Sequence, residues 1–142
     1  MEIDPKRLDE LIAAAEAARR HAYAPYSGFA VGAAVLDEAG AVSVGCNVEN
    51  ASYGLTMCAE RAALFAAMAA GAARVVAVAV VVDGETASPC GACRQVMTEL
   101  CPPGATVAQA TTAGARRLST VASLLPSPFT ASDLGLRPRW QQ

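Results

Sequence analysis

The sequence predicts an α/β fold in which helices pack on a mixed β-sheet. Three observations indicate this class. Apolar residues recur at helical spacing from Leu8 to Ala18. The run RVVAVAVVV, residues 74–82, has the β-branched density of a buried strand. The predicted elements follow the order α-β-β-α-β-α-β, which is typical of a sheet covered by helices. At 142 residues, the chain is expected to form one domain, residues 1–142.

The first helix and a hairpin account for the N-terminal third of the chain. The helix is expected to start after Asp4, a favourable N-cap residue, with Pro5 in its first turn, and to run to about His21. The segment YAPYSGF then ends the helix through its proline, serine and glycine. Residues 31–36 and 42–47 predict two strands joined by the turn DEAG, and therefore a β-hairpin.

Two further helices and two further strands follow. Residues 58–70 predict a helix with Gly71 as its C-terminal cap, and the buried strand comes next. Residues 90–100 predict the third helix, and residues 105–112 a weaker strand. The pattern is weak beyond this point, where two short turns are expected around the prolines of LLPSPF.

Charge and hydropathy limit the possible partners. The net charge is −2, and no cluster of lysine and arginine exceeds two residues, which disfavours a nucleic-acid partner. The N-terminus MEIDPKRLDE alternates acids and bases and does not resemble a signal peptide. The apolar segment 62–82 is interrupted by Gly71 and Arg74, so no membrane span is expected. A cytoplasmic location is therefore expected.

The five cysteines indicate a metal site. Their odd number, in a chain without a secretion signal, argues against a disulfide framework. Cys90 and Cys93 are three residues apart at a helix start, so their sulfurs face nearly the same direction. Cys58 begins the preceding helix. Because a helix N-terminus favours the thiolate form, we expect these three thiolates to converge on one ion.

Three protein ligands leave one tetrahedral position of Zn²⁺ open, as in catalytic zinc sites. A fourth thiolate would close the site and make it structural. Cys46 and Cys101 are the candidates for that ligand, but neither is grouped with the other three in the sequence. We therefore expect both to be ordinary small residues.

Charged residues beside the cysteines have predicted roles. Glu60 lies two residues after Cys58 and cannot share its helix face, so it is expected beside the ion, where a carboxylate can transfer protons. Zn²⁺ with three thiolates carries a net charge of −1. Arg61 and Arg94 are expected to offset this charge by hydrogen bonding to sulfur from outside the ligand set.

These motifs resemble a known family. Cys-x-Glu followed by Pro-Cys-x-x-Cys, with the blocks YAPYSGFAVGAAV, GCNVENASYG, CAERAAL and PCGACRQV, is similar to the small homotetrameric zinc-dependent cytidine deaminases of pyrimidine salvage. LLPSPFTASDL resembles their C-terminal segment, whereas GLRPRWQQ has no counterpart. The resemblance implies a three-layer α/β/α sandwich with a five-stranded mixed sheet and a homotetramer with shared active sites. It also implies one Zn²⁺ per subunit and hydrolysis of cytidine and 2′-deoxycytidine to uridine, 2′-deoxyuridine and ammonia.

The resemblance also implies residue roles. The zinc ligands are expected to be Cys58, Cys90 and Cys93, and Glu60 the proton shuttle. The residues expected to contact the nucleoside are Phe29, Asn47, Glu49, Ala51, Tyr53, Ala59 and Phe129. Among them, Asn47 and Glu49 are expected at the ribose, and Ala59 offers backbone groups to the pyrimidine. The two phenylalanines are expected to stack on the base, with Phe129 contributed by a neighbouring subunit.

Other functions remain open. Blasticidin-type antibiotic deaminases share the zinc and glutamate pattern, although Asn47, Glu49 and Phe129 favour the nucleoside enzyme. Polynucleotide-editing deaminases are disfavoured by the acidic charge. Cys90 and Cys93 could instead form a thiol–disulfide redox pair, which leaves the C-x-E motif unexplained. A structural zinc in a binding module would require a fourth ligand.

Overall fold

The computed structural model describes residues 2–142. Its helices are α1 (Pro5–Arg19), α2 (Ala59–Ala69), α3 (Gly91–Leu100) and α4 (Val121–Leu124). Its strands are β1 (Val31–Asp37), β2 (Val42–Cys46), β3 (Val75–Val82), β4 (Thr106–Thr111) and β5 (Arg116–Thr120). Short 3₁₀ helices span Tyr53–Leu55, Ala131–Leu134 and Arg139–Gln141.

The five strands form one mixed sheet in the order β2-β1-β3-β4-β5. Only β3 and β4 pair in parallel, and the three other pairs are antiparallel. The predicted hairpin of β1 and β2 is confirmed, as is the five-stranded mixed sheet. Strand β5 was not predicted from its own residues, because it is a short edge strand that exposes two arginines and a leucine.

Helices cover both faces of the sheet, which confirms the α/β/α arrangement. On one face, Leu8, Leu11 and Ile12 of α1 pack in a cluster with residues of β1, β3 and β4. On the other face, α2 and α3 bury a second cluster that includes Leu64 and Met97. Both cysteine-bearing helices therefore lie in the same layer, side by side.

Two glycines bring helices unusually close to the sheet. A Cβ atom at Gly32 of β1 would lie 1.9 Å from the carbonyl oxygen of Ala15 in α1. A Cβ atom at Gly45 of β2 would lie 2.5 Å from the amide nitrogen of Ala63 and 2.6 Å from the carbonyl oxygen of Ala59. All three distances are shorter than van der Waals contact. Only glycine therefore allows α1 to lie this close to β1 and the first turns of α2 to lie directly on β2.

Helix α2 ends as predicted. Gly71 has φ +92° and follows the C-cap residue Ala70. The amides of Gly71 and Ala72 donate to the carbonyls of Met68 and Ala67, a Schellman arrangement. The apolar segment 62–82 is thus divided between α2 and β3. Within residues 2–142, none of the helices combines the length and the apolar character that a membrane crossing requires.

Candidate metal centre and active site

Three cysteine sulfurs meet where helices α2 and α3 begin. Cys58 and Cys90 are the N-cap residues of these helices, and Cys93 lies in the first turn of α3. The Cys90 sulfur lies 3.6 Å from that of Cys58 and 3.5 Å from that of Cys93. All three sulfurs lie within 4.8 Å of one another. A tetrahedral ion about 2.3 Å from each sulfur requires sulfur separations of about 3.8 Å, so the cluster fits one Zn²⁺.

The other two cysteines do not join this cluster. Cys46 is half-buried in β2, and Cys101 is buried just after α3. Burial raises the pKa of the Cys101 thiol to about 12, so it stays neutral. Within residues 2–142, the three clustered cysteines are the only group of three or more Cys, His, Asp and Glu side chains close enough to share an ion. Three sulfurs are the ligand count of an open site.

Glu60 lies beside the sulfur cluster and is buried. Its relative exposure is 4%, and it lines the same cavity as Cys58 and Cys90. Desolvation by burial raises the pKa of its carboxyl above the ordinary value, and the nearby charge of Cys58 raises it further. A raised pKa makes this carboxylate a better proton acceptor than an ordinary glutamate.

Arg61 contacts the cluster from within α2. Its Nη2 atom donates to the sulfur of Cys58 at 3.4 Å, as the three-residue spacing along a helix allows. The hydrogen bond from Cys93 and the hydrogen bond and charge of Arg61 lower the pKa of Cys58 to about 5. The buried Nε atom of Arg61 has no hydrogen-bond partner among the described residues. The guanidinium thus favours the thiolate that a metal requires.

Arg94 does not have the predicted contact with sulfur. Its guanidinium donates instead to the carbonyls of Pro89 at 2.8 Å and Leu124 at 2.7 Å, and to the Ser88 hydroxyl at 2.7 Å. Because Arg94 directly follows Cys93, its side chain points about 100° around the helix from that thiol. It therefore ties the loop before α3 to the end of α4, and among residues 2–142 the guanidinium that donates to a sulfur of the cluster is that of Arg61.

A cavity of about 250 Å³ opens in front of the cysteines. Of the residues predicted to contact a nucleoside, four line it: Phe29, Asn47, Glu49 and Ala59. Ala59 is buried in the first turn of α2, and Phe29 is half-exposed at the rim. Thr56 and Ser88, which the sequence analysis did not single out, also line the cavity. Sequence pattern alone gave no signal for either.

The remaining three predicted contacts lie outside this cavity. Tyr53 lines an adjoining cavity of about 360 Å³, which Ser27, Glu49 and Thr56 also line. Ala51 is exposed and lines neither cavity. The side chain of Phe129 is 62% exposed, and Phe129 lines neither cavity of its own chain.

Asn47 and Glu49 hold the loop that carries Phe29. The Asn47 side chain accepts from the amide of Val31 at 2.8 Å and donates to the carbonyl of Phe29 at 2.7 Å. Glu49 accepts from the amide of Ser27 at 3.1 Å and from its hydroxyl at 2.5 Å. Together these bonds fix both ends of the loop against the strand-end segment that follows β2.

Ser27 was missed as a site residue. The sequence pattern assigns Ser27 only to the segment YAPYSGF that ends the first helix. Its position two residues before Phe29 is the signal that links it to the predicted site. Its hydroxyl also accepts from the amide of Phe29 at 3.0 Å. The Ser27 hydroxyl and the amides of Ser27 and Tyr26 lower the pKa of Glu49, which keeps that carboxylate ionised.

Comparison with known proteins gives one consistent result. The sequence profile of the cytidine and deoxycytidylate deaminase zinc-binding region matches residues 5–109. A cytidine deaminase from Halalkalibacterium halodurans is 54% identical over 125 residues, which cover 87% of this chain and 95% of that protein. A Sporosarcina psychrophila cytidine deaminase is 48% identical over 128 residues, or 89% of this chain and 94% of that protein.

Solved structures agree with the sequence relatives. The crystal structure of cytidine deaminase from Burkholderia pseudomallei superposes with a TM-score of 0.82 at 52% identity, covering 85% of this chain and 98% of that one. That from Mycobacterium tuberculosis gives 0.76 at 40% identity, covering 91% and 99%. The profile match includes all three clustered cysteines and Glu60. This chain therefore belongs to the cytidine and deoxycytidylate deaminase family, whose members bind zinc.

Proposed function

We propose that this protein is a cytidine deaminase of pyrimidine salvage, which hydrolyses cytidine and 2′-deoxycytidine to uridine or 2′-deoxyuridine and ammonia. One observation carries the proposal: three sulfurs converge at the start of two helices, and two of the cysteines, Cys58 and Cys90, line one cavity together with the buried carboxyl group of Glu60. The family match and the names of the relatives support the same reaction.

The metal site is assigned to the sulfur cluster. Cys58, Cys90 and Cys93 would hold one Zn²⁺ per subunit, and Arg61 would offset part of the negative charge of the thiolates. Zinc bound there supplies a Lewis acid that makes water reactive near neutral pH. The chain's own contribution is to hold the three sulfurs at the required separations and to keep Cys58 ionised.

Glu60 is assigned the proton transfers. Its buried position and raised pKa suit a group that must both accept and donate a proton in one cycle. Glu60 would accept the proton from the attacking water and deliver it to N3 of the pyrimidine. Once the water oxygen is bonded to C4, Glu60 would take the proton of that hydroxyl group and deliver it to the amino nitrogen. The C4–N bond then breaks, ammonia leaves, and the C4 carbonyl of the product forms.

The nucleoside would occupy the cavity in front of Glu60. Phe29 offers a ring face to the base, Asn47 and Glu49 offer polar groups to the sugar, and Ala59 offers backbone groups to the pyrimidine. Tyr53, in the adjoining cavity, and Ala51 would extend the same binding surface. The volume of about 250 Å³ suits a compact ligand.

Charge favours a nucleoside over a nucleotide. The family description covers both cytidine and deoxycytidylate. Among the described residues that line the two cavities there is no lysine, arginine or histidine, while Glu49 is ionised. A phosphate monoester entering beside Glu49 would meet like charge without a compensating cation. We therefore assign the nucleoside as the substrate.

A homotetramer with shared active sites, located in the cytoplasm, completes the proposal. Large apolar side chains are exposed around the cavity and along α2 and the C-terminal segment. They include Tyr23, Tyr26, Tyr53, Leu55, Phe65, Phe129, Leu134 and Leu136. Such surfaces are typical of subunit interfaces. In an assembly of this kind, the exposed ring of Phe129 would reach the cavity of a neighbouring subunit.

The test combines metal analysis with loss of cytidine absorbance, run on the wild type, Glu60→Gln and Glu99→Gln. Glu99 is an exposed residue of α3 and serves as the matched control. We expect one zinc per chain in all three proteins and a turnover at least about 100-fold lower in Glu60→Gln alone. Near-normal turnover in Glu60→Gln would remove that residue from the mechanism.

Two further assays separate the rival functions. The first assay measures ammonia release with cytidine, deoxycytidylate or blasticidin S as the substrate. We expect release from cytidine and none from deoxycytidylate or blasticidin S. A chain without zinc that reduces insulin disulfides would instead be a redox protein. Release of zinc in Cys46→Ala or Cys101→Ala would indicate a closed, structural site.

A further inference from the structure

The tail, residues 135–142, lies across the far ends of the two helices that begin at the metal cysteines. The Arg139 Nη2 atom donates to the carbonyl of Ala72, just beyond the end of α2, at 3.1 Å. The Trp140 indole Nε1 atom donates to the carbonyl of Thr98, in the last turn of α3, at 3.1 Å. Pro138, which precedes these two residues, is buried. The tail thus bonds α2 and α3 at once.

The Thr98 carbonyl requires a partner from outside its helix. The residue four positions further on is Pro102, which has no N–H group to donate. Cys101 donates to Met97 instead. The indole of Trp140 therefore satisfies a carbonyl that α3 itself leaves unpaired, in the manner of a C-terminal cap.

Arg139 has a corresponding role at α2. Neither α2 nor α3 has a basic residue in its last turn, although a cation there is favoured by the helix dipole. Arg139 places its guanidinium beside the carbonyl that follows the Schellman turn of α2. The tail supplies both a hydrogen bond and a positive charge that the helix lacks.

We propose that Arg139 and Trp140 are positioning residues, which set the relative placement of α2 and α3 and thereby control how firmly the three-sulfur cluster retains its metal. The proposal rests on the zinc site of the proposed function. The sulfurs of Cys58 and Cys93 come from different helices, so their separation depends on how those helices are held together. Fixing both helices at their far ends restricts sliding and splaying at the ends that carry the sulfurs.

The tail lies outside the family profile, which ends at residue 109. GLRPRWQQ has no counterpart in the family pattern. The match to the H. halodurans protein covers 95% of that protein but 87% of this chain, and the match to the B. pseudomallei structure covers 98% against 85%. Each match thus leaves a larger share of this chain than of the relative unaligned, and a function for the tail is not one that the family profile provides.

The test measures the rate at which zinc-loaded protein loses its metal to a chromogenic chelator under native conditions. Trp140→Phe keeps the ring and removes the donor, and Arg139→Met removes the cation. We expect each variant to release zinc about three- to ten-fold faster than the wild type, because each leaves a helix-end carbonyl unpaired. Arg139→Lys, which keeps a charge and a donor, is expected to restore a rate close to that of the wild type.

Two controls separate positioning from general loss of stability. Gln142→Ala removes a side chain that bonds only within the tail, to the Arg137 carbonyl, and is expected to release zinc at the wild-type rate. Leu11→Ala weakens the core on the opposite face of the sheet. It is expected to lower the melting temperature at least as much as Trp140→Phe without the same increase in release rate.

The outcomes are distinct. Wild-type release rates in Trp140→Phe and Arg139→Met, or equally fast release in Leu11→Ala at the same melting temperature, would overturn the proposal. A wild-type chain that holds zinc but does not deaminate cytidine would overturn the proposed function and leave the role of the tail intact. A wild-type chain that holds no zinc would overturn both.

Discussion

The Nη2 atom of Arg61 donates to the Sγ atom of Cys58 across 3.4 Å, within the first turn of α2. This contact places a permanent positive charge beside the three-sulfur cluster, on a residue that is not one of the three cysteines. Arg61 also directly follows Glu60, so the four residues 58–61 at the start of α2 bring together a cysteine of the cluster, a buried carboxyl group and a cation.

Replacing Arg61 is expected to weaken zinc retention. Arg61→Ala removes the donor to Cys58 and is expected to reduce zinc affinity about 10- to 100-fold, the usual cost of losing a partner just outside the ligand set. Arg61→Lys should recover only part of the lost affinity. Lysine keeps the positive charge, but its single ammonium group does not reproduce the planar guanidinium that places Nη2 against the Cys58 sulfur. Competition with a chelator measures the affinity, and Arg20→Ala, at the exposed end of α1, is the control. Unchanged zinc affinity and turnover in Arg61→Ala would reject the charge-compensation argument.

Gly45→Ala is expected to disturb the metal site from β2. Its Cβ atom would lie 2.5 Å from backbone in α2, so the first turns of α2 must move away from the sheet. We expect a loss of about 1–3 kcal/mol in the free energy of unfolding, together with faster zinc release because Cys58 precedes the displaced turn. Gly84→Ala, whose nearest contact is 4.0 Å away, is the matched control. Urea unfolding measures the stability, and a chelator assay measures the rate of zinc release. A loss of stability without faster zinc release would contradict the expected effect on the metal site.

Ser27→Ala is expected to weaken nucleoside binding. The variant loses the 2.5 Å hydrogen bond to Glu49 and the bond that holds the Phe29 amide. We expect KM for cytidine to rise about three- to ten-fold while kcat changes little, because the loss affects binding before the reaction. Ser27→Thr keeps the hydroxyl and should stay near the wild-type KM. A fall in kcat at constant KM would place Ser27 in the chemical step instead.

The same contacts make the stabilisation of the Phe29 loop by Glu49 depend on pH. Its folded-state pKa is lower than the ordinary value of 4.5, chiefly because of the Ser27 hydroxyl. Its contribution to the loop is therefore fully present above about pH 4.5 and is lost as the pH falls through the lower, folded-state pKa. Ser27→Ala should move the Glu49 pKa upward, which carboxyl-carbon NMR titration can measure. An unchanged midpoint would indicate that the backbone amides alone set the pKa.

Because the thiol of Cys101 is buried, we expect the folded protein to lose stability in alkaline solution. Burial raises its pKa from 9.0 to about 12, so the unfolded chain loses this proton before the folded chain does. Stability from this group is complete below pH 9 and falls between pH 9 and 12, at up to about 1.4 kcal/mol per pH unit. Urea unfolding at pH 8 to 10 under reducing conditions should show a shallower decline for Cys101→Ala than for the wild type. Cys46→Ala is the control, and parallel declines in all three proteins would contradict the expectation.

Residue pattern predicted most of the fold because its main elements are long or strongly periodic. The β-branched run of β3 and the helical spacing of α1 were sufficient for their assignment. The predicted α1 extends about two residues beyond the observed end at Arg19, a normal uncertainty where a helix ends without glycine. Strand β5 is too short, too exposed and too polar to be recognised, since pairing with β4 rather than its own sequence makes it a strand.

Several features of the site depend on contacts between distant segments and were beyond sequence reasoning. The cysteine spacing predicted that three sulfurs would converge, and the structure brings them together. The close approach permitted by Gly45 and the bonds from Arg94 to Leu124 depend on packing that no local pattern encodes. The tail segment GLRPRWQQ carries no local pattern that places Trp140, and the structure places this residue on α3 of its own chain.

The thiols of the cluster are separated in the chain by all of β3, and this has a consequence for how the protein is made. A nascent chain that has left the ribosome only as far as β3 carries one of the three sulfurs. Lasting zinc capture must wait until α3 has been synthesised and has packed beside α2. The chain would therefore acquire its metal late in biogenesis. A chain that has bound zinc would be one in which α2 and α3 are already packed side by side.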